Sequence, residues 1–276
     1  MTTILFWNIN KKQLINDIVW LCQRYNVDIL VLAESKLSKV EILRNLNIGA
    51  SSIYISPTNP TTSLSLFYRY PSESIQPLDG EKRMSIQRIQ PRIGKDFTLV
   101  ALHLPSKLHM SEEDQYAECR RIVQTIQEKE NQVGHMRTLV IGDFNLNPFE
   151  KGMIAADGFH AMMTQKIAKK RDRKIRGQTR SFFYNPMWGR MGDFSPEAPG
   201  TYYYSDSSVI AYFWNTLDQV LLRPDLLDYF TQDNLSIISQ IGEKSLLTAN
   251  QTILSSSSDH FPILITLEIE RTVNHE

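Results

Sequence analysis

The chain has 276 residues, 42% of them hydrophobic, which suits one large α/β domain and is also compatible with two small ones. Thirty basic residues balance thirty acidic ones, so net charge neither favours nor excludes a nucleic-acid partner. The N-terminus lacks the pattern of a signal peptide, and no apolar run is long enough to span a bilayer. We therefore expect a cytoplasmic protein with no stable membrane association.

Apolar periodicity predicts alternating strands and helices. In chain order we expect a strand over 4–8, a helix over 13–25, strands over 28–33, 63–69, 84–90 and 97–104, a helix over 112–130, and strands over 138–142, 217–223 and 261–269. Residues 71–80 are rich in turn formers and are predicted as a connection. Some of these strands alternate in polarity and others are wholly apolar, which indicates α/β layers with two sheets.

The two cysteines, Cys22 and Cys119, lie in the segments predicted as helices. Two cysteines so distant in sequence form neither a disulfide framework nor a zinc site. We expect both to be buried as small apolar side chains, which is consistent with a reducing compartment.

Several predicted strands lead directly into polar residues that suit a metal site. The strand over 4–8 ends at Asn8, the next apolar run leads to Glu34, and the strand over 138–142 leads to Asp143 and Asn145. Strand ends at one edge of an α/β sheet are where functional sites collect. Carboxylates meeting there favour Mg²⁺ or Mn²⁺, which prefer oxygen ligands.

Two short motifs sharpen this prediction. In Gly142-Asp-Phe-Asn145, the two polar side chains point the same way if the backbone is extended, although Asp and Asn at such a junction also serve as helix caps or Asx-turns. In Ser258-Asp-His260, the Asp can bind metal or orient the imidazole, and the alternative is a polar loop before the last strand. The serine run 255–258 resembles a plain linker.

Two further residues complete the candidate set. His103 closes the strand over 97–104, where a lone His is also common as a hydrogen-bonded core residue. Asp218 starts an apolar strand, and a carboxylate buried there needs a partner because its desolvation is costly. A histidine is a suitable partner, and the Asp would orient it and keep it basic.

Taken in chain order, these residues and their neighbours resemble the endonuclease/exonuclease/phosphatase superfamily, the deoxyribonuclease I-like enzymes, from Asn8 to His260. The motifs that carry the resemblance are Trp7-Asn8, Ala33-Glu34, Leu102-His103, Gly142-Asp-Phe-Asn145, Leu217-Asp218-Gln-Val-Leu and Ser258-Asp-His260. The resemblance implies an α/β fold, a four-layer α/β/β/α sandwich of two packed mixed sheets. The whole chain, 1–276, would be one domain with a basic and aromatic insertion at about 165–214.

The resemblance also assigns roles. Glu34 would be the main ligand of Mg²⁺, or of Mn²⁺ as a substitute, with Asn8 and Asp259 beside it. The catalytic residues would be His103 near the leaving oxygen, Asp143 positioning or activating water, Asn145 on a phosphate oxygen, and Asp218 paired with His260. Asn10 replaces an aspartate found in many relatives, which puts a second metal position in doubt.

The predicted substrate is nucleic acid, DNA in preference to RNA. Residues 166–180 include eight basic residues and one acidic residue, and many aromatic residues follow up to position 214. The basic residues can neutralise backbone phosphates, and the aromatic residues can stack on nucleobases. Alternatively, the basic run is solvated on the surface and the aromatic residues are packed in the core. Arg120 on the predicted helix can reach a phosphate or lie on a solvated face. The proposed substrate-binding residues are Arg120, Lys169, Lys170, Arg171, Arg173, Lys174 and Arg176.

The predicted activity is therefore metal-dependent hydrolysis of a phosphodiester by in-line attack of water. One alternative is a phosphoinositide or sphingolipid phosphoesterase, whose basic loop would bind an anionic membrane. Against that alternative, no exposed apolar loop stands out in the sequence. A second alternative is a binding module that has lost the chemistry but kept the fold.

Overall fold

A computed structural model describes residues 1–49, 52–57, 61–205, 207, 209–254 and 256–270. Its α-helices are α1 Ile15–Arg24, α2 Lys39–Asn47, α3 Glu112–Val133, α4 Lys151–Ile154 and α5 Gln165–Ala168. The strands β1 to β9 are Thr2–Asn8, Ile29–Ala33, Leu64–Tyr68, Ile75–Glu81, Met84–Ile89, Phe97–His103, Thr138–Asp143, Ala161–Met162 and Asp172–Ile175. The strands β10 to β18 are Gln178–Ser181, Phe183–Tyr184, Tyr202–Tyr203, Trp214–Asn215, Asp218–Leu222, Leu235–Ile237, Gln240–Ile241, Lys244–Ser245 and Ile263–Leu267.

Two mixed sheets form the centre of the molecule. The five-stranded sheet has the order β15-β18-β1-β2-β3, and the seven-stranded sheet has the order β4-β5-β6-β7-β14-β11-β8. β1 and β2 are parallel, as are β6 and β7, while β14 runs antiparallel to β7. The carboxyl ends of β1, β2, β6 and β7 therefore carry the polar residues singled out in the sequence.

The core is divided by the seven-stranded sheet, as the alternation along β6 shows. Leu99 and Ala101 face the larger apolar cluster, which joins this sheet to the five-stranded one and to helices α1 and α2. Val100 and Leu102 face a second cluster with Cys119 and Ile122 of α3. The result is the α/β/β/α sandwich expected from the sequence.

Helix α3 illustrates how local sequence sets an element's limits. The Ser111 hydroxyl accepts a hydrogen bond from the Asp114 backbone N–H at 3.1 Å, which caps the first turn. At the other end Gly134 adopts a left-handed conformation with φ of 76°, a common helix stop. Cys119 is fully buried on the inner face of α3, and Cys22 is buried on α1, as predicted for both.

The prediction for residues 71–80 was wrong. Most of this segment is strand β4, which pairs with β5 along its whole length. β4 is an edge strand, where a proline costs no ladder hydrogen bond, and the register shifts between Pro77 and Asp79. Turn-forming residues therefore marked an irregular edge strand and not a loop.

Among the described residues, none of the helices combines the length and the apolar character needed to cross a bilayer.

Candidate active site

The strand ends bring three catalytic candidates into one row. In the seven-stranded sheet, His103 pairs with Asp143 across β6 and β7, and Asp143 pairs with Asp218 across β7 and β14. All three side chains are buried, so their polar atoms are largely removed from water. The row exists because a parallel and an antiparallel neighbour of β7 both place a polar residue level with its last position.

His260 joins this row from the loop before β18. Its Nδ1 lies 2.8 Å from Oδ2 of Asp218, as predicted for this pair. The backbone holds the ring in place, because Trp7 Nε1 donates to the His260 carbonyl at 2.9 Å and the His260 N–H donates to the Ser258 hydroxyl at 3.2 Å. The Tyr202 ring covers the imidazole with a centroid separation of 4.7 Å.

The protonation of this pair follows from its surroundings. Burial alone would lower the pKa of His260, but the charge of Asp218, its hydrogen bond and the nearby Asp143 raise the pKa to about 10. His260 is therefore an imidazolium at neutral pH. Burial raises the pKa of Asp143 to about 7, against the lowering effect of the charged His260.

Asn8 connects the two sheets at the site. Its Nδ2 donates to Oδ2 of Asp143 at 3.0 Å and approaches Oε1 of Glu34 at 3.4 Å. Its Oδ1 accepts the backbone N–H of Asn10 at 3.1 Å. In this orientation Asn8 aligns two carboxylates, and its oxygen is occupied by the turn that follows β1.

Glu34 and His103 face each other across the gap between the sheets. Nε2 of His103 is 3.5 Å from Oε1 of Glu34 and 3.8 Å from Oδ2 of Asp143. Burial lowers the pKa of His103 to about 4, assisted by the charge of Arg83 and opposed by that of Glu34. His103 is therefore neutral at pH 7, and its buried Nδ1 has no hydrogen-bond partner among the described residues.

The geometry predicted for Asn145 was wrong. The backbone is not extended there, since Asn145 has a φ of 49° and its N–H donates to Oδ1 of Asp143 at 2.8 Å. This is the Asx-turn that the sequence offered as an alternative. One N–H of the Asn145 amide donates to the Leu104 carbonyl at 2.8 Å, while the residue still lines the cavity.

These residues open into one cavity of about 420 Å³. Its walls include Glu34, His103, Asp143, Asn145, Asp259 and His260 of the predicted set, together with Lys11, Arg83, His109 and Tyr202, which the sequence analysis did not single out. Arg83 lies in the two-residue turn between β4 and β5, and that turn was hidden when residues 71–80 were taken for a loop.

The donor set at this cavity fits a divalent cation. Asp143, Asp218 and His260 offer ligand atoms within 4.8 Å of one another. Asp218 and His260 are hydrogen-bonded to each other, and the carboxylates at the cavity wall are those of Glu34, Asp143 and Asp259. Clustered carboxylate oxygens suit a hard cation, and Oδ1 of the fully buried Asp218 has no partner among the described residues.

Residues 5–260 match the sequence profile of the Endonuclease/Exonuclease/phosphatase family. The chain belongs to this family. Its members are hydrolases that act on phosphate esters, and a possible metal-binding cluster is present here. A search of curated proteins found no match.

Solved structures of this family share the fold. An endonuclease/exonuclease/phosphatase family protein from Leptotrichia buccalis is 14% identical with a TM-score of 0.57, and the match covers 97% of this chain and 100% of that one. An AP endonuclease from Archaeoglobus fulgidus is 12% identical with a TM-score of 0.57, covering 98% and 100%. The 3′ phosphatase NExo from Neisseria, bound to a product DNA hairpin, is 13% identical with a TM-score of 0.56, covering 97% and 99%.

In the present chain, the residues predicted to bind substrate lie outside the cavity. Residues 165–181, the first part of the predicted insertion, form α5 and a hairpin of β9 and β10. Arg120 lies on α3 and pairs with Asp157 at 3.0 Å. Lys169 and Arg171 pair with Asp228 and Asp225, at 3.2 and 2.6 Å.

The aromatic stretch divides between core and surface. Phe182, Phe183 and Tyr184 are buried, as the core alternative predicted. Other large apolar side chains in this stretch are exposed, namely Phe194, Tyr204, Val209, Ile210, Tyr212 and Phe213. The expectation that no exposed apolar loop stands out was therefore wrong. Residues 206 and 208 of this loop, and Ser255 of the serine run, lie outside the described residues.

Proposed function

We propose that this protein is a Mg²⁺-dependent phosphodiesterase that hydrolyses nucleic acid, DNA in preference to RNA. The observation that carries the proposal is the buried Asp218–His260 pair beside Asp143, at a cavity rimmed by Glu34 and Asp259. A fixed imidazolium next to a carboxylate is suited to a reaction in which water attacks phosphorus and negative charge builds on the phosphate oxygens.

Each residue has a role that matches its contacts. Asp143 orients the attacking water and accepts its proton. His260 directs its Nε2–H to a non-bridging phosphate oxygen, with Asp218 fixing the ring through Nδ1. Asn145 has a second amide N–H left for the phosphate, and neutral His103 would face the leaving oxygen.

Glu34 and Asp259 would hold the metal ion, and Asn8 keeps Glu34 aligned with Asp143. Bound there, Mg²⁺ would neutralise charge on the phosphate in the transition state. Three carboxylates, those of Glu34, Asp143 and Asp259, lie at the wall of one cavity, and this cluster of oxygen ligands supports a requirement for a divalent cation.

Nucleic acid is favoured as the substrate by the charge and shape of the molecule around the site. Arg83 and Lys11 line the cavity, and most of the basic residues between 166 and 180 are exposed on α5, on the separate β9–β10 hairpin and between them. Tyr202 offers an aromatic face beside His260 on which a base can stack. The structures of NExo with a DNA hairpin and of D. rerio TDP2 with single-stranded DNA are examples of this fold holding DNA.

One observation favours a second candidate, a lipid phosphodiesterase. The exposed ring of Tyr204 stacks on that of Tyr202 in the cavity wall, with centroids 6.4 Å apart, and Val209, Ile210, Tyr212 and Phe213 further along the chain are exposed as well. An apolar segment beside a site can insert into the membrane interface and bring a lipid headgroup to the site.

A substrate panel separates these functions. The purified protein is incubated with labelled double-stranded DNA, single-stranded DNA, RNA and sphingomyelin or phosphoinositide vesicles, each with Mg²⁺, Mn²⁺ or EDTA. Metal-dependent cleavage of a nucleic acid that is absent in Asp143→Asn supports the proposal. Cleavage of lipid alone supports the second candidate, and binding of nucleic acid without any cleavage identifies a silent binding module.

A further inference from the structure

A basic hairpin stands apart from both main sheets. β9 and β10 form their own two-stranded antiparallel sheet, in which five of the eight residues are exposed and the other three are half-buried. Arg176 and Gly177 connect them with φ of 49° and 79°. Two positive φ values in a two-residue loop indicate a type I′ turn, which matches the twist of a hairpin. The element is therefore a defined structure and not a loose charge run.

The base of the hairpin is tied to the protein, while its charges are left open. Lys169 and Arg171 are bonded to Asp228 and Asp225, which anchors the entrance of β9. Among the described residues, no carboxylate lies within 4.0 Å of the remaining basic side chains: Lys170, Arg173, Lys174, Arg176 and Arg180. A chain of zero net charge thus concentrates unpaired positive charge on one small element.

Like charges also face each other across the hairpin. Arg173 is directly opposite Arg180 in the β9–β10 register. Like charges in this arrangement destabilise a strand pair. Arg173 stays exposed while its Nε donates to Nε2 of the buried His160 at 3.0 Å, and Arg180 lines a groove. A polyanion lying along the hairpin would reduce the repulsion between these basic side chains.

A groove beside the hairpin is distinct from the catalytic cavity. It has a volume of about 580 Å³ and lies between β10 and helix α3, with Arg120 and Arg121 on one wall and Thr179 and Arg180 on the other. None of its lining residues belongs to the cavity that contains His260. A ligand bound here cannot also be the phosphodiester that is cleaved.

We infer that the β9–β10 hairpin is a second binding site for nucleic-acid backbone, which holds the polymer away from the scissile bond. The inference rests on the proposed function and deepens it, because it makes the substrate a long strand and not a nucleotide or dinucleotide. Binding the distant part of the strand raises the local concentration of phosphodiesters at the cavity.

The test neutralises the hairpin without touching anchored residues. The variant Lys170→Gln/Lys174→Gln/Arg176→Gln is compared with a control triple of equal charge change at exposed positions outside both the hairpin and the cavity, Arg24→Gln/Arg44→Gln/Lys95→Gln. A third variant, Lys170→Arg/Lys174→Arg/Arg176→Lys, keeps the hairpin's charge. Binding of a labelled DNA strand of about 40 nucleotides is measured by anisotropy in EDTA at several salt concentrations.

The hairpin triple should lower the slope of log K against log salt by roughly 2, since each lost contact to a single strand contributes about 0.7. The ratio of kcat/KM for the long strand to that for a dinucleotide should fall about tenfold. The control and charge-keeping triples should retain the wild-type slope and ratio. Equal slopes and ratios in all variants would overturn this inference, whereas a wild type that binds the strand but cleaves nothing would overturn only the proposed function.

Discussion

Oδ2 of Asp218 lies 2.8 Å from Nδ1 of His260, and this contact joins the two packed sheets at their shared edge. Asp218 begins β14 in the seven-stranded sheet, while His260 precedes β18 in the five-stranded sheet. Because the two residues come from different sheets, Asp218 can keep His260 protonated at neutral pH only when the sandwich is closed. The chemistry of the site therefore depends directly on the packing of the fold.

Asp218→Asn should reduce kcat by about 100-fold or more, because the amide removes the charge that keeps His260 protonated and oriented. KM should change little, since Asp218 is buried and does not reach the substrate. Steady-state kinetics on the cleaved substrate check this. Asp233→Asn, an exposed acid-to-amide change, is the matched control, and a loss confined to KM would contradict the assigned role.

Glu34→Gln should weaken Mg²⁺ binding at least roughly tenfold, because the affinity of such sites depends on the charge of their ligands. Isothermal titration calorimetry without substrate measures this directly. Glu41→Gln on the exposed face of α2 should bind as the wild type does. Unaltered Mg²⁺ affinity in Glu34→Gln would show that other carboxylates of the cavity hold the metal.

Glu130→Gln should destabilise the fold by about 3 kcal/mol, because it leaves a buried charge without a partner. The Arg223 guanidinium is fully buried, donates to Glu130 at 2.8 and 3.1 Å, and packs 3.7 Å from the centroid of the Phe183 ring. Urea unfolding gives the free-energy change. The change Glu128→Gln at an exposed neighbouring position should cost less than about 1 kcal/mol. Similar losses of unfolding free energy in both variants would show that the buried Glu130–Arg223 pair contributes no more than an exposed residue does.

His160 should make stability depend on pH. Burial and the charge of Arg173 lower its folded-state pKa from 6.5 to about 4. Between these values the unfolded chain binds a proton that the folded protein does not, so stability is complete above pH 6.5 and falls as pH decreases towards 4. Urea unfolding across this range should give a shallower pH slope for His160→Gln than for the wild type. Parallel slopes would rule out His160 as the cause.

Much of the site was predictable because strand ends obey simple rules. Asn8, Glu34 and Asp143 follow apolar runs, and parallel strands place such residues at one edge. The partnership of Asp218 with a histidine followed from the cost of burying a lone carboxylate. The endonuclease/exonuclease/phosphatase resemblance then supplied the order of layers, which periodicity alone left open.

The rest depended on long-range pairing that a single sequence does not show. β4 was missed because its edge position, which tolerates Pro77, is set by tertiary structure. Arg83 was missed with it, since only the β4–β5 turn carries it to the cavity. The left-handed backbone at Asn145 is set by its bond to Asp143, and the motif alone allowed an extended chain as well.

The most direct test of the account is hydrolysis of a simple phosphodiester, bis(p-nitrophenyl) phosphate, by the wild type, Asp143→Asn and the exposed control Asp193→Asn, each with Mg²⁺ and with EDTA. We predict release of nitrophenol by the wild type and the control only when Mg²⁺ is present, and a loss of about 100-fold or more in Asp143→Asn. Equal rates in Asp143→Asn and the wild type, or rates unaffected by EDTA, would contradict metal-dependent phosphodiester hydrolysis at this site.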